Sequence, residues 1–196
     1  MRTLVALPSA LSSALLAVAA VALSVPCRAQ TAQAEEPNRA FFFRGGAGLN
    51  LASIHETNAL INGVPPDPPT TDYFAYGYDI DIEVGVSLAR HVVLGGAVYL
   101  MSSSGHPEPG STAERGNMIV AALVDGFFVR TGEGPHVLGF AGFSGFAARF
   151  AGGAGAGYDF KLSERWSVGP LARVVYAEAS YFRTIAATLD VVATFN

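Results

Sequence analysis

Residues 76–88 read YGYDIDIEVGVSL, and their alternation decides the fold. From Tyr78 onward every second residue is apolar (Tyr78, Ile80, Ile82, Val84, Val86, Leu88), while Asp79, Asp81 and Glu83 occupy the opposite parity. Successive side chains of a strand point to opposite faces, so this segment is a β-strand with one greasy and one acidic face. Period 2 alone does not say which face meets water.

Working outward, the same period recurs between turn signals, and no amphipathic helix of useful length competes with it. Eight strands are expected, over about 40–51, 73–88, 91–102, 116–129, 136–147, 150–162, 166–177 and 183–195. The connections after the second, fourth and sixth strands are short or turn-like: 89–90, 130–135 and 163–165. The alternate set holds two long excursions, ASIHETNALINGVPPDPPTT from Ala52 and SSGHPEPGSTAER from Ser103, then two brief ones near 148–149 and 178–182. Tight turns at one end and long loops at the other are the pattern of a barrel that spans a membrane. An even count returns both ends to one side, where strands one and eight can pair and leave no open edge. The expected fold is all-β, an eight-stranded antiparallel up-and-down transmembrane barrel.

The first 29 residues read as an export signal. Arg2 gives a positive start, LSSALLAVAAVALSV an apolar core, and Cys27-Arg28-Ala29 the small residues of a cleavage site. A lipoprotein reading of Cys27 meets Pro26 where a small residue is needed. Cleavage after Ala29 takes Lys+Arg from 12 to 10 against 16 Asp+Glu, a net charge of −6, and leaves no cysteine. Nucleic acid is then a poor partner, and thiol chemistry is excluded. Residues 30–39, QTAQAEEPNR, are an aperiodic polar leader, expected to be disordered, ahead of a barrel domain at 40–196.

Two observations orient the faces. Charged residues are 26 of the 167 that remain, about 16%, against roughly 25–35% for a water-exposed surface. Strand eight puts Ile185, Ala187, Leu189, Val191, Ala193 and Phe195 on one face, and strand four does so with Met118, Val120, Ala122, Val124 and Phe128. The opposite faces are expected to be small and polar, with Thr184, Ala186, Thr188 and Asp190 in strand eight and Gly153, Gly155, Gly157, Asp159 and Lys161 in strand six. The aromatics then form two bands. Phe41, Phe42, Phe43, Phe127, Phe128, Tyr158, Phe160, Trp166 and Phe195 gather at the turn end; Tyr73, Phe74, Tyr76, Tyr99, Phe146, Phe150, Tyr176, Tyr181 and Phe182 gather at the loop end. Such girdles mark the two interfaces of a membrane.

With its export signal, eight strands, loop asymmetry and closing segment TLDVVATFN, the chain resembles the small eight-stranded outer-membrane proteins, the OmpA/OmpX-like barrels. The resemblance implies a C-terminal assembly signal at Leu189, Val191 and Phe195, read by the barrel-assembly machinery. Asn196 after Phe195 departs from that pattern. It also implies localisation in the outer membrane of a Gram-negative bacterium, in contact with outer-membrane lipid.

By parity Arg44, Asp79, Asp81, Glu83, Asp125, Asp159, Arg173 and Asp190 point into the lumen, with Arg44 near the depth of Glu83 and Arg173 near that of Asp190. A lipid-facing Arg or Lys costs roughly 2–4 kcal/mol near the midplane, so the inward placement is the cheap one. An eight-stranded lumen is just wide enough for side chains to fill it, so the network is expected to plug the barrel, with a narrow cation path as the alternative.

Other motifs carry less. DIDIE lacks the curved loop and glycine of a calcium site, its alternate carboxylates being about 6.8 Å apart along a strand. GGAGAG at 152–157 lacks phosphate-loop spacing, and its glycines are expected to relieve crowding. Ser103, Ser104, His106 and Glu108 are the residue types of an acyl hydrolase, set on a Pro/Gly loop that offers no rigid frame. His55 opens HETNA rather than a zinc-protease motif, and His91 and His136, which flank turns, are expected to be solvated. Pro170 inside strand seven demands a bulge or a shorter strand. No cofactor, metal or catalytic residue is expected. The expected role is structural or surface-interacting, with a ligand, if there is one, taken by the loop at 52–72 around Pro65, Pro66, Pro68 and Pro69. A soluble periplasmic calycin-like binder is the alternative of another class.

Overall fold

The computed structural model describes residues 41–57, 70–89, 91–108, 110–129, 131–145, 148–179 and 181–196. The expected export signal and leader, the four prolines of the first loop, and Phe146 lie outside the described residues. The strands are β1 (Phe41–Thr57), β2 (Thr70–Ala89), β3 (Val92–Gly105), β4 (Ala113–Phe127), β5 (Gly134–Ser144), β6 (Arg149–Lys161), β7 (Trp166–Glu178) and β8 (Phe182–Phe195). Each pairs antiparallel with its sequence neighbours, and β1 pairs with β8, so eight strands close one barrel in up-and-down order.

The opening stretch lies in β2 with Asp79, Asp81 and Glu83 enclosed and Tyr78, Ile80 and Ile82 turned outward. The same sense holds round the barrel: Leu49, Leu100, Val124, Val174, Leu189 and Val191 all face out.

Several strands run further toward the loop end than hydropathy suggests. Of the segment 52–72, residues 52–57 belong to β1 and 70–72 to β2; 58–69 lie outside the described residues. The apolar alternation stops there but backbone pairing does not, because polar cross-strand pairs take over. His55 Nδ1 lies 2.6 Å from Asp72 Oδ1, and Arg115 donates to both Glu56 oxygens at 2.6 and 2.7 Å. At 17 and 20 residues β1 and β2 are well beyond the 9–11 a membrane-spanning strand needs. β5 ends earlier than expected, at Ser144.

Pro170 needs neither remedy. β7 is continuous, and the β6 ladder loses only the pairs opposite Pro170 and Gly169 before resuming in the same register at Phe160–Val168. The β8 side pairs throughout. The register shift in the sheet falls instead between Ser87 and Ala89 on β2.

The aromatic bands are thinner than expected. Phe41, Phe128, Tyr158, Phe160 and Trp166 are exposed at the turn end; Phe74, Tyr76, Phe143, Phe150 and Tyr181 are exposed at the loop end. Phe42, Phe127, Tyr73 and Tyr99 are inside, as is Phe140. The interior is accordingly not small and polar throughout. Tyr99, Met101, Ile119, Leu123, Leu138, Phe140, Leu171 and Val175 form an apolar wall, carried by β3, β4, β5 and β7.

Candidate functional site

The enclosed charges converge on two guanidiniums. Near the turn end Arg44 Nη1 donates to Glu83 Oε2 at 3.0 Å and Asp125 Oδ2 at 2.8 Å, and Nε donates to Thr194 Oγ1 at 3.1 Å. Its Nη2 lies 3.5 Å from Asp159 Oδ2. Phe42 and Phe127 have their ring centres 4.9 and 5.8 Å from the guanidinium carbon, so the cation is also held against aromatic faces.

One level further in, Arg173 Nη2 lies 2.8 Å from Asp79 Oδ2, 2.6 Å from Asp81 Oδ2 and 2.8 Å from Asp190 Oδ2. Its Nε donates to Thr188 Oγ1 at 3.3 Å, and the Tyr99 ring lies 4.7 Å from the guanidinium. Glu83 joins the two centres: Tyr99 Oη donates to its Oε1 at 3.1 Å, and Arg173 Nη1 lies 3.8 Å from the same atom. All eight residues named from parity are therefore in one network, each less than a tenth exposed.

Strand register explains how Asp79 and Asp190 meet although β1 separates them. Gly48 on β1 is the cross-strand partner of both. A side chain there would collide with Asp190 Oδ1 and the Leu189 carbonyl, so glycine opens the gap through which the carboxylates lean together. Gly48→Ala is expected to cost about 1–3 kcal/mol by overpacking. Gly116→Ala, whose added methyl would have only the Met101 carbonyl at 4.0 Å, should lie near zero. Urea midpoints of the two refolded variants check this; equal midpoints would remove the role given to Gly48.

His136 corrects its expected solvation. It is 1% exposed, stacks on Phe127 at 5.0 Å, has Nδ1 3.1 Å from Asp125 Oδ1 and Nε2 4.0 Å from Asp159 Oδ1. His136 starts two residues into β5 on the inward parity, a signal that Leu138 and Phe140 carry as well. The turn beside it suggested water, whereas parity pointed inward. Gly157 on β6 leaves the ring its space, since a side chain there would run into His136 Nε2. The crowding that GGAGAG relieves is thus partly that of an imidazole.

Asp79, Asp81 and Asp190 bring one oxygen each within 4.8 Å of one another. Asp79 and Asp81 converge on one nitrogen of Arg173 and so come closer than their backbone spacing, and Asp190 joins them from β8. The centre of this triad is the seat of Arg173 Nη2, so the positive charge there is supplied by the chain. The hydrolase residue types do not assemble: Ser103 Oγ donates to Asn50 Oδ1 at 2.8 Å inside the barrel, while His106 Nδ1 faces the Ser111 carbonyl at 2.6 Å in the β3–β4 loop.

At the turn end Leu189 and Val191 face outward, and Phe195 packs edge-on against Trp166 at 5.2 Å. Asn196 is tucked in, its Nδ2 donating to the Thr131 carbonyl at 3.2 Å and its backbone N–H to that of Arg165 at 3.0 Å. No protein-family model matches this chain, and no curated protein is significantly similar to it.

Proposed function

We propose that this chain is an outer-membrane barrel of the OmpA/OmpX-like kind, exported by its first 29 residues and inserted by the barrel-assembly machinery. Its role is structural or surface-interacting rather than catalytic. The observation that carries the reading is polarity turned inside out. Six carboxylates and two guanidiniums are enclosed, while Leu49, Phe74 and Val191, at 73%, 75% and 66% exposure, represent a greasy wall facing out. Monomeric proteins in water rarely expose so continuous an apolar surface, and hydrocarbon is the solvent it suits. Exposed aromatics at both ends fit the two interfaces.

Cell fractionation and gel mobility with and without boiling test this. The chain should pellet with outer membranes and shift on boiling. Recovery in the soluble periplasm with no shift would sink the reading in favour of the calycin-like binder.

A second reading, a narrow cation path, is favoured by the enclosed excess of carboxylates over guanidiniums. Against it stand two guanidiniums tied across the lumen and the apolar wall beside them. Planar-bilayer recording on purified protein is expected to give no steady current. A cation-selective current abolished by Asp81→Ala would reverse the order of the two.

A further inference from the structure

At the loop end β1, β6, β7 and β8 surround a hollow of about 270 Å³ lined by His55, Arg149, Glu178, Tyr181, Phe182 and Arg183. Its rim is tied by backbone bonds: Thr57 N–H donates to the Tyr181 carbonyl at 2.7 Å, and Ala179 N–H to that of Phe182 at 2.8 Å. The described cations at this end are Arg115, Arg149 and Arg183. Arg115 is consumed by Glu56. Among the described residues neither Arg149 nor Arg183 is held in an ion pair; Arg183 stands opposite Glu178 across the β7–β8 ladder and its guanidinium reaches the Tyr176 hydroxyl. Glu178 is the acidic member of the hollow, and its Oε1 already accepts from Tyr176 Oη at 2.6 Å. His55 is set against Asp72. Two arginines against one carboxylate leave the hollow with a surplus positive charge in a chain of net charge −4.

We infer that this hollow binds the phosphate of a membrane lipid headgroup. A guanidinium presents a planar fork of donors that matches phosphate oxygens two at a time. A terminal phosphate has enough oxygens to serve both forks, whereas a carboxylate serves one. Depth names the source. Tyr181 and Phe150, 62% and 54% exposed, belong to the loop-end aromatic band, and such bands sit at headgroup level. This step rests on the membrane reading proposed above.

The test is native mass spectrometry of the full chain refolded in detergent, with phosphatidic acid, phosphatidylcholine or inorganic phosphate added. Phosphatidic acid adducts should survive where phosphatidylcholine adducts do not, and should weaken at least tenfold in Arg149→Gln/Arg183→Gln. They should be unchanged in Arg165→Gln at the turn end. Each variant is first checked for the boiling shift, so a loss of folding is seen separately, and a wild-type chain that does not insert into vesicles would fail the membrane reading instead. Equal retention in the double variant and Arg165→Gln would overturn the site. Variant-sensitive binding of inorganic phosphate with no lipid adduct would overturn the lipid as its ligand.

Discussion

Arg173→Met is expected to destabilise the refolded barrel by about 3–5 kcal/mol, the cost of leaving buried charges without their partner. Methionine keeps an unbranched side chain and removes the cation. Asp79, Asp81 and Asp190 would lose a nitrogen at 2.6–2.8 Å, and Glu83 one at 3.8 Å. Their mutual repulsion would then be set against each other across the gap at Gly48. The measurement is the urea midpoint of the refolded protein in detergent, followed by the fluorescence of Trp166. Lys161→Met supplies the scale: Lys161 lies 3.8 Å from Glu133, both about a third exposed, and such pairs are worth roughly 0–1 kcal/mol. Combining Arg173→Met with Asp79→Asn and Asp190→Asn should recover part of the loss, since neutral amides no longer need the guanidinium. If Arg173→Met alone stays within about 1 kcal/mol of the parent, the carboxylates do not depend on Arg173 and the plug is held by the apolar wall.

That apolar wall is the part of the fold least legible in the sequence. Over residues 78–88 of β2 one parity is apolar and the other acidic or small, and in β8 Thr184, Thr188, Asp190 and Thr194 mark the inward parity despite Val192, so the sense of Asp79, Asp81, Glu83 and Asp190 is read directly. In β4 both parities are apolar: Met118 and Val124 face out, while Ile119 and Leu123 face in. Period 2 carries no orientation there. Only the closed ladder, which fixes each residue against its neighbours, decides it.

The network was legible as a set of inward charges and not as a geometry. Parity names Asp79 and Asp190, but their meeting depends on Gly48 being the partner of both, which requires the β1–β8 closure and its register. His136 was missed for a related reason. His136 and Phe127 are cross-strand partners beside a turn, and nearness to a turn in sequence is not nearness to water when the side chain points into a barrel. The extended loop-end strands escaped because hydropathy reports the apolar band, whereas pairing continues on backbone bonds and on pairs such as Glu56–Arg115.

Ile82→Arg is the prediction that separates lipid from water outside the barrel. Ile82 is 48% exposed, lies between Gly45 and Val98 on the neighbouring strands, and sits well away from both ends of β2. If hydrocarbon surrounds it, the arginine should cost about 2–4 kcal/mol, and the same charge near an interface only about 0–1 kcal/mol. Val129→Arg at the turn end, 51% exposed, is the interface control. Refolding into phosphatidylcholine vesicles across a urea series reads both without the assembly machinery, so a fault in assembly cannot mimic the effect. The depth dependence carries the result. A surface facing water would accept either arginine within about 0.5 kcal/mol, so equal midpoints for the two variants would put Tyr78, Ile80 and Ile82 against water and return the soluble binder to first place. A loss confined to Ile82→Arg would leave Asp81 and Glu83, one residue away on the other face, and Asp79 beyond them as the charges the membrane keeps inside.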